Sequence, residues 1–464
     1  MGQEATSRPL FGVAAGRLES ALPDDKPLYT DAEARAEADR CLYCVDAPCV
    51  KACPTSIDIP TFIKKIASGN VRGSARTIFD QNMLGYSCAR VCPVEVLCAG
   101  ACVYQEWHGP AIAIGRLQRY ATETATRVGQ PALFHPKTAK VQRSVALIGS
   151  GPASLACAAS LALEGHRAVI LEKRAVVGGL NSTGIAPYKL HVEDALHEAA
   201  WVAALGVEIR VGAGVGPAGI RGATLLSEYD AVFIGVGLGA DSRLNIPGED
   251  GAGVVGATAW IEAMKLAASG EPRSLGRVVI VGGGNTAIDM ARECARLGAA
   301  EVTMVYRREL GDMSGYEHER EAAQLEGVRL IPRSVPVAFR RDPDGKLTGL
   351  SLARTDGGHP VAGTEQDIPC DLVGLAIGQA KVREIADELP GVTLDARGCV
   401  LVDAATYQTG NPKVYAGGDC VNGGKEVVNA VAAGRDAAHA MLRLWDTGTP
   451  NRGPRTSAAE ASHG

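Results

Sequence analysis

The chain has 464 residues, which by the usual length of a domain corresponds to about three domains. Its formal net charge of −5 is small for this length and 46% of its residues are hydrophobic, so the composition indicates a globular protein without a nucleic-acid partner. No apolar run reaches the ~18 residues that a membrane-spanning helix needs, and the N-terminal residues are mixed and polar, unlike an export signal. These features predict a cytosolic, multidomain protein that acts neither on nucleic acid nor in a membrane.

Eight of the thirteen cysteines lie in one N-terminal segment, in the runs 41–53 and 88–102, and each run contains a Cys-Pro step. Closely spaced thiolates suit a sulfur-rich metal centre, and without an export signal they favour bound metal over disulfides. Proline after a ligand turns the chain away from the centre, which favours iron–sulfur clusters over structural zinc, the alternative that remains open. In two-cluster ferredoxins the cysteine of the Cys-Pro step binds the other cluster, and we expect the same exchange here.

The segment around these cysteines has the character of a small helical domain. Thr30 followed by Asp31 predicts a capped helix that leads into Cys41, and residues 59–66 and 71–81 have helical spacing. The domain should extend to about residue 130, after a loosely ordered arm over residues 1–30. A Pro- and Lys-containing stretch, 129–140, reads as a linker.

Two β-α-β patterns follow, at residues 143–172 and 277–309, and each places a glycine-rich turn between an apolar strand and a helix. Their recurrence indicates two doubly wound parallel sheets. Near the C-terminus a further strand, a Gly-Gly-Asp turn and a long helix come before a tail that we expect to be disordered. The predicted fold class is therefore α/β, with an α-helical N-terminal iron–sulfur domain followed by two Rossmann-like domains of glutathione-reductase type. The predicted domains are an iron–sulfur domain (1–142), an FAD-binding domain in two parts (143–250 and 379–446), an NAD(P)H-binding domain (251–378) and the tail (447–464).

The first glycine turn has the context of a dinucleotide site. Gly149 permits the tight turn, Gly151 lets the backbone approach a pyrophosphate at the helix N-terminus, and Ser154 is small enough for close packing. Glu172 ends the second strand, where an acid accepts the ribose hydroxyls. The alternative is a purely structural turn.

Two later features favour FAD as the dinucleotide. A Gly-Gly-Leu segment, 178–180, follows the acid, and Asp419 in the Gly-Gly-Asp turn would hydrogen-bond the ribityl chain, although it could instead be a buried helix cap. The helix starting near Val427 would direct its N-terminus at the flavin, where its dipole stabilises negative charge. The predicted FAD residues are Gly149, Gly151, Ala153, Ser154, Glu172, Lys173, Gly179, Leu180, Gly418, Asp419, Val427 and Val428.

The second glycine turn repeats this arrangement with a different strand end. Its second strand ends in Arg307 and Arg308 rather than in an acid, and arginines there accept the 2′-phosphate of NADP. NADPH is therefore favoured, while NADH, with the arginines as a solvated strand end, stays an alternative. The predicted NAD(P)H residues are Gly282, Gly283, Gly284, Asn285, Thr286, Ala287, Arg307, Arg308 and Gly378.

Several stretches together carry a family resemblance: CLYCVDAPCVKACP, CARVCPVEVLCAGAC, GPAIAIGRLQRY, GSGPAS, GGLNSTGIAPYKL and AGGDCVNGGKEVV. Over nearly its whole length the chain resembles the amino-terminal half of dihydropyrimidine dehydrogenase and the bacterial subunit, PreT or PydX, that is related to that half. It is more broadly similar to the small subunit of NADPH-dependent glutamate synthase.

The resemblance implies two [4Fe–4S] clusters and an unusual ligand. In dihydropyrimidine dehydrogenase a glutamine in the segment matching GPAIAIGRLQRY binds one iron of the second cluster, and its counterpart is Gln118. Cys88 is then left without a cluster. From the residues alone, the cysteines divide four and four and Gln118 is a helix-surface residue, so that alternative stays open. The implied ligands are Cys41, Cys44, Cys49 and Cys102 for the first cluster, and Cys53, Cys92, Cys98 and Gln118 for the second.

Two positions depart from the family pattern. Lys189, which we include among the FAD residues, stands where an arginine commonly contacts the flavin nucleotide. Ser314 stands where a further arginine can meet the 2′-phosphate, which weakens the preference for NADPH.

The resemblance implies an electron-input subunit. Hydride would pass from NAD(P)H to FAD, which needs stacking and exclusion of water rather than a catalytic side chain, and single electrons would leave through the clusters. The chain lacks an FMN barrel, so it should need a partner of the PreA or PydA type, with FMN and further clusters, to reduce uracil and thymine in pyrimidine catabolism. The alternatives are a glutamate-synthase-type small subunit serving another acceptor, and a non-catalytic iron–sulfur scaffold.

Overall fold

The structure is a computed structural model that describes residues 17, 22–127, 129–130, 132–267 and 275–447. Most of the predicted arm, and the predicted tail beyond Thr447, lie outside the described residues. Among the helices that the structure describes, none combines the length and apolar character needed to cross a bilayer.

The N-terminal domain is helical, as predicted. Thr30 caps the first helix in a capping box with Glu33, and the side chains of Asp58 and Asn70 cap the third and fourth helices. Phe62 and other apolar side chains of these helices form one core. The helices are α1 (Asp31–Asp39), α2 (Pro48–Lys51), α3 (Ile59–Ala67), α4 (Val71–Phe79), α5 (Gly85–Val91), α6 (Val103–Glu106) and α7 (Ile114–Thr126).

The next domain is built on a five-stranded parallel sheet with the strand order β14-β4-β1-β2-β3. Four of its strands, β1, β2, β4 and β14, are mostly buried apolar runs, as expected for a parallel sheet covered on both faces, whereas the edge strand β3 is largely exposed. The strands are β1 (Ser144–Ile148), β2 (Arg167–Glu172), β3 (Glu208–Val211), β4 (Ala231–Ile234) and β14 (Val414–Ala416). The helices around them are α8 (Pro152–Leu163), α9 (Leu180–Thr183), α10 (Val192–Ala203), α11 (Gly222–Glu228), α15 (Glu384–Glu388), α16 (Asp419–Asn422) and α17 (Val427–Thr447).

The third domain has a second five-stranded parallel sheet, with the order β5-β13-β6-β7-β8. An antiparallel sheet that the sequence did not predict lies beside it and shares its core through Phe339 and Leu350. The parallel strands are β5 (Val254–Gly256), β6 (Arg277–Val281), β7 (Glu301–Val305), β8 (Arg329–Ile331) and β13 (Leu372–Leu375), and the antiparallel ones are β9 (Ser334–Arg341), β10 (Leu347–Asp356), β11 (His359–Pro360) and β12 (Gln366–Pro369). The helices are α12 (Ala257–Leu266), α13 (Asn285–Arg296) and α14 (Glu317–Leu325).

The C-terminal segment returns to the first sheet. Strand β14 pairs with β4, and α17 packs against α8 so closely that a Cβ on Gly434 would overlap the backbone of Ala153. Both glycine turns therefore lie in strand-turn-helix units, and the predicted α/β fold class with a helical N-terminal domain is confirmed.

Candidate functional site

The first group of cysteines surrounds an apolar cavity lined by the segment that follows α1, by α2, α3 and α6, and by the start of α7. Burial raises the pKa of the Cys49 thiol to about 12, with a further contribution from the negative charge of Cys102 and Cys41. Burial also raises the pKa of Cys41, and the negative charge of Cys44 and Cys102 raises it further. The sulfur atoms that line the cavity are those of Cys41, Cys44, Cys49 and Cys102, the set that the family resemblance implied.

The second group lies deeper, at the end of α5. The pKa of the Cys92 thiol is raised by its hydrogen bond with Cys88, by burial, and by the negative charge of Cys98 and Cys53. Burial raises the pKa of Cys98 to about 12, and here too Cys53 contributes. The structure thus brings Cys53 from the first run to the second group, as expected at its Cys-Pro step. At the other Cys-Pro step the expectation is wrong, because Cys92 stays with its own run and Cys102 joins the first group instead.

Both groups supply closely spaced thiol donors, the ligand type of iron–sulfur clusters. Within the described ranges no three Cys, His, Asp or Glu side chains are placed to hold one metal ion, and all thirteen cysteines are free of disulfides. In a [4Fe–4S] cluster each thiolate binds its own iron, so the sulfur atoms surround a volume rather than converge on a point. A bound cluster would also supply the positive charge that turns buried thiols into thiolates.

Gln118 lies on α7, on the side that faces α5. Its side chain is buried, 8% exposed, and its Nε2 donates a hydrogen bond to the carbonyl of Gly85 at 2.8 Å. The structure thus contradicts the view of Gln118 as a helix-surface residue. Its role as an iron ligand, in preference to the buried Cys88, stays a prediction.

The three segments predicted to bind FAD meet at the N-terminus of α8. Gly149 has φ +89° and Gly179 has φ +57°, backbone conformations that glycine adopts without strain. A Cβ on Gly179 would lie 2.8 Å from the Cα of Gly151, and one on Gly418 would lie 3.1 Å from the Cβ of Ala153. Segments distant in sequence are therefore in contact around one glycine turn, and side chains at these glycines would block it.

Glu172 and Ser150 hold this turn together. One carboxylate oxygen of Glu172 accepts hydrogen bonds from the backbone and the hydroxyl of Ser150, at 2.9 and 2.6 Å. The Ser150 hydroxyl in turn accepts the backbone N–H of Gly178 at 3.1 Å. Sequence reasoning missed Ser150, because of the two hydroxyl side chains in GSGPAS it singled out only Ser154. Glu172 thus orders the turn, while its predicted contact with a ribose stays a prediction.

Asp419 and the start of α17 complete this region. Burial raises the pKa of Asp419, while a hydrogen bond from the backbone of Lys425 and the charge of Lys381 oppose that shift. Helix α17 begins at Val427, where the sequence predicted a helix start, and Val428 is buried while Val427 is partly exposed. Lys173, by contrast, is exposed at the end of β2.

The second glycine turn is covered by one following segment. A Cβ on Gly283 would lie 2.6 Å from the ring of Tyr306, and one on Gly284 would lie 3.5 Å from the hydroxyl of Ser314. The backbone N–H of Gly315 donates to the carbonyl of Gly283 at 2.8 Å. The segment that contains Ser314 therefore lies over the turn, and Asn285, Thr286 and Ala287 follow as the first turn of α13.

Arg307 and Arg308 are exposed just beyond β7. The guanidinium carbon of Arg308 lies over the ring of Tyr306, 5.7 Å from its centre. The backbone carbonyl of Arg307 accepts a hydrogen bond from the hydroxyl of Thr355. Gly378 lies beyond β13, and its carbonyl accepts the backbone N–H of Ser242. Both arginines are thus exposed at this strand end, and their predicted contact with a 2′-phosphate stays a prediction.

Lys189 has carboxylate partners that the sequence did not suggest. Its Nζ lies 2.7 Å from Asp289 of α13 and 2.8 Å from Glu319 of α14, and its side chain is 14% exposed. These charges raise the pKa of Lys189 although burial opposes the shift. In this structure Lys189 joins the first sheet domain to the second, and its predicted contact with FAD is not tested.

Comparison with known proteins defines the class. Residues 20–130 match the family described as dihydropyrimidine dehydrogenase domain II, 4Fe-4S cluster, and residues 143–434 match the pyridine nucleotide-disulphide oxidoreductases. The fold also resembles FprA of Mycobacterium tuberculosis (TM-score 0.53, 20% identity, 66% of this chain and 85% of that one) and thioredoxin reductase of T. acidophilum (TM-score 0.52, 21% identity, 66% and 99%). The protein is therefore an iron–sulfur flavoprotein oxidoreductase that uses a pyridine nucleotide.

Its relatives narrow the family. The glutamate synthase [NADPH] small chain of Escherichia coli K12 is 35% identical over 437 residues, 89% of this chain and 92% of that one. The NAD-dependent dihydropyrimidine dehydrogenase subunit PreT of the same organism is 35% identical over 421 residues, 90% and 96%. The putative oxidoreductase UacF, also from E. coli K12, is 36% identical over 441 residues, 89% and 68%. The chain belongs to the family that contains the glutamate synthase small chains and PreT, so the resemblance found in the sequence is confirmed.

Proposed function

We propose that this protein is the electron-input subunit of a dihydropyrimidine dehydrogenase. When bound, FAD would accept a hydride from NAD(P)H and release its electrons singly to the two [4Fe–4S] clusters. A partner chain of the PreA or PydA type, with FMN, would then reduce uracil or thymine to the 5,6-dihydro form. The observation that carries the proposal is the buried Gln118, which faces the helix that ends at the second cysteine group.

The residues of this chain would bind, orient and shield. The turn at Gly149–Ser154, with Glu172 and the Gly418–Asp419 turn, would hold FAD, and the turn at Gly282–Ala287 would hold NAD(P)H. NADPH is favoured because the exposed guanidinium groups of Arg307 and Arg308 lie at the strand end. The two cysteine groups lie in the helical domain that precedes both sheets in the chain, and their clusters would carry the electrons out.

A hetero-oligomer is part of the proposal. PreT and the glutamate synthase small chain are named as subunits of larger enzymes. Apolar side chains on the first cysteine group's side are exposed, Leu42 to 46% and Trp107 to 63%, as in a surface that a partner covers. The partner proposed for this surface is the FMN-containing acceptor chain.

A second function has direct support, because the identity to the glutamate synthase small chain equals that to PreT. One experiment separates the two. The anaerobically purified chain is mixed with a PreA-type chain and uracil, or with a glutamate synthase large chain, glutamine and 2-oxoglutarate, and NAD(P)H oxidation is followed. Oxidation that depends on uracil supports the proposal, whereas oxidation that depends on glutamine and 2-oxoglutarate overturns it. Comparing NADPH with NADH in the same assay tests the coenzyme preference.

A further inference from the structure

Tyr316 lies where all three domains meet. It precedes α14 in the domain of the second glycine turn, and its backbone N–H donates to the Oδ1 of Asn285, within that turn, at 3.0 Å. Its hydroxyl donates to Oε1 of Glu426, the residue just before α17. Three residues thus form a continuous hydrogen-bonded connection, Asn285–Tyr316–Glu426, from the predicted NAD(P)H turn to the helix that is predicted to face the flavin.

Both ends of this connection are anchored in backbone structure. Gly315, next to Tyr316, donates to the carbonyl of Gly283, and the carbonyl of Glu426 accepts the N–H groups of Asn429 and Ala430 in the first turn of α17. Any movement of Tyr316 relative to Glu426 would therefore shift the second glycine turn relative to α17.

The iron–sulfur domain also contacts this point. The ring of Tyr316 stacks on His318, with ring centres 5.7 Å apart and planes at 11°. His318 lies 3.4 Å from Glu95, in the loop that follows Cys92. Burial and the bond to Glu426 raise the pKa of Tyr316, so its hydroxyl keeps its proton and remains a donor.

We propose that Tyr316 and Glu426 are positioning residues, which fix the distance and angle between the bound nicotinamide and the flavin. Hydride transfer requires the two rings to stack within a narrow range of geometries, so a loosened connection lowers the transfer rate more than it lowers coenzyme binding. The inference rests on the proposed assignment of the two glycine turns to FAD and NAD(P)H.

The connection can be removed without separating the domains. Lys189 joins the same two sheet domains through Asp289 and Glu319, contacts that use neither Tyr316 nor Glu426, so Tyr316→Phe and Glu426→Ala should leave the domains packed. A matched control is Tyr120→Phe, because the Tyr120 hydroxyl also donates to a carboxylate, that of Asp31 at 3.0 Å, but within the N-terminal domain.

The test uses the full-length, FAD-loaded chain without a partner. Flavin reduction by NADPH and NADH is followed anaerobically by stopped-flow absorbance, which separates the limiting rate from the coenzyme dissociation constant. Each single variant, and the double variant, should lower the limiting rate about tenfold and change the dissociation constant by less than about twofold. Because both changes break the same bond, the double variant should lose no more than a single one.

A second measurement does not depend on the cofactor. In the chain without FAD, the amides of residues 314–316 and 427–430 should exchange hydrogen faster in Tyr316→Phe and Glu426→Ala, but not in Tyr120→Phe. Unchanged limiting rates, losses that multiply in the double variant, a loss confined to coenzyme affinity, or an equal loss in Tyr120→Phe would each overturn the inference. If NAD(P)H does not reduce even the unaltered flavoprotein, the proposed function fails, and hydrogen exchange still tests the connection itself.

Discussion

The two cysteine groups differ in where they lie. The first surrounds a cavity on the outer side of the helical domain, next to Val45, which is 97% exposed, and Leu42. The second lies against the other domains, because Cys88 is part of the apolar core of the first sheet domain and Cys92 packs against that core. A centre in the second position is shielded and close to the sheet domains, whereas a centre in the first is close to the surface.

Three of the described non-glycine residues with positive φ border the first group, and a further one, Ser56 with φ +54°, follows Cys53 of the second. Tyr43, Asp46 and His108 have φ of +52°, +58° and +54°, and all three are next to the exposed apolar residues around the first group. Non-glycine residues with positive φ cost free energy and are concentrated at functional sites. Under the proposed function, the first group would lie at the surface that meets the partner, and the second between that surface and the sheet domains.

The largest expected effect comes from removing one ligand of each group. Cys102→Ser and Cys98→Ser should each abolish one cluster, halve the bound iron and stop electron delivery to an acceptor, while NAD(P)H still reduces the flavin. Cys98→Ser should also lower the melting temperature more, because Cys98 is buried in the apolar core of the helical domain. Iron analysis, electron paramagnetic resonance and thermal unfolding measure these effects. Unchanged iron content in either variant would contradict the assignment.

A second expected effect concerns the unusual ligand. Gln118→Ala should change the paramagnetic resonance spectrum of one cluster and reduce electron delivery about tenfold. The control is Cys88→Ala, since Cys88 is equally buried near the same group and should leave both spectra unchanged. The reverse pattern, in which only Cys88→Ala alters a cluster, would make Cys88 the ligand.

The external surface of the first group allows a smaller test. Trp107→Ser and Val45→Asp should each raise the KM for the acceptor chain by up to about tenfold, without altering flavin reduction. Val141→Asp is the control, because Val141 is 64% exposed in the linker after the helical domain. If Val141→Asp had the same effect, a general loss of surface hydrophobicity would explain the result.

The smallest expected effect is a pH dependence of the free energy of unfolding, caused by Glu198 of α10 where it contacts α5. Burial raises the pKa of Glu198 from 4.5 to about 7, against the hydrogen bonds that its carboxylate accepts from Ser87 and Tyr86. Since the folded state binds this proton more tightly than the unfolded state, the stabilisation is full below pH 4.5 and is lost as pH rises through about 7.

Glu198→Gln should remove this dependence. The melting temperature of the unaltered chain should therefore fall more steeply between pH 5 and 8 than that of the variant, by about 2 °C. Thermal unfolding at several pH values measures the two slopes, and equal slopes would contradict the prediction.

Much of this fold was predictable because its signals are local. The capped helix after Thr30, the strand-turn-helix units that begin at Ser144 and Arg277, and the helix start at Val427 each follow from a few adjacent residues. The Cys-Pro rule was right for Cys53, which joins the second group, and wrong for Cys92, which stays with its own run. In each of these cases the physical cause lies within one segment of the chain.

The contacts between distant segments were not predictable. The pairing of Lys189 with Asp289 and Glu319, and the bond from Tyr316 to Glu426, depend on how two domains pack, which no local pattern encodes. The antiparallel strands β9–β12 were missed because their burial alternates only partly along β9 and β10. Gln118 has no distinguishing feature in its own segment, and only the family resemblance drew attention to it.

The strand order of the first sheet has a consequence for biosynthesis. Strand β4 pairs with β14, and β14 is translated only after the entire second sheet domain has been made. A ribosome-bound chain therefore exposes an incomplete sheet edge, a target for misassembly and for chaperones, while the inserted domain can already fold. Truncation just before β14 should leave the nicotinamide domain intact and the flavin domain unable to form.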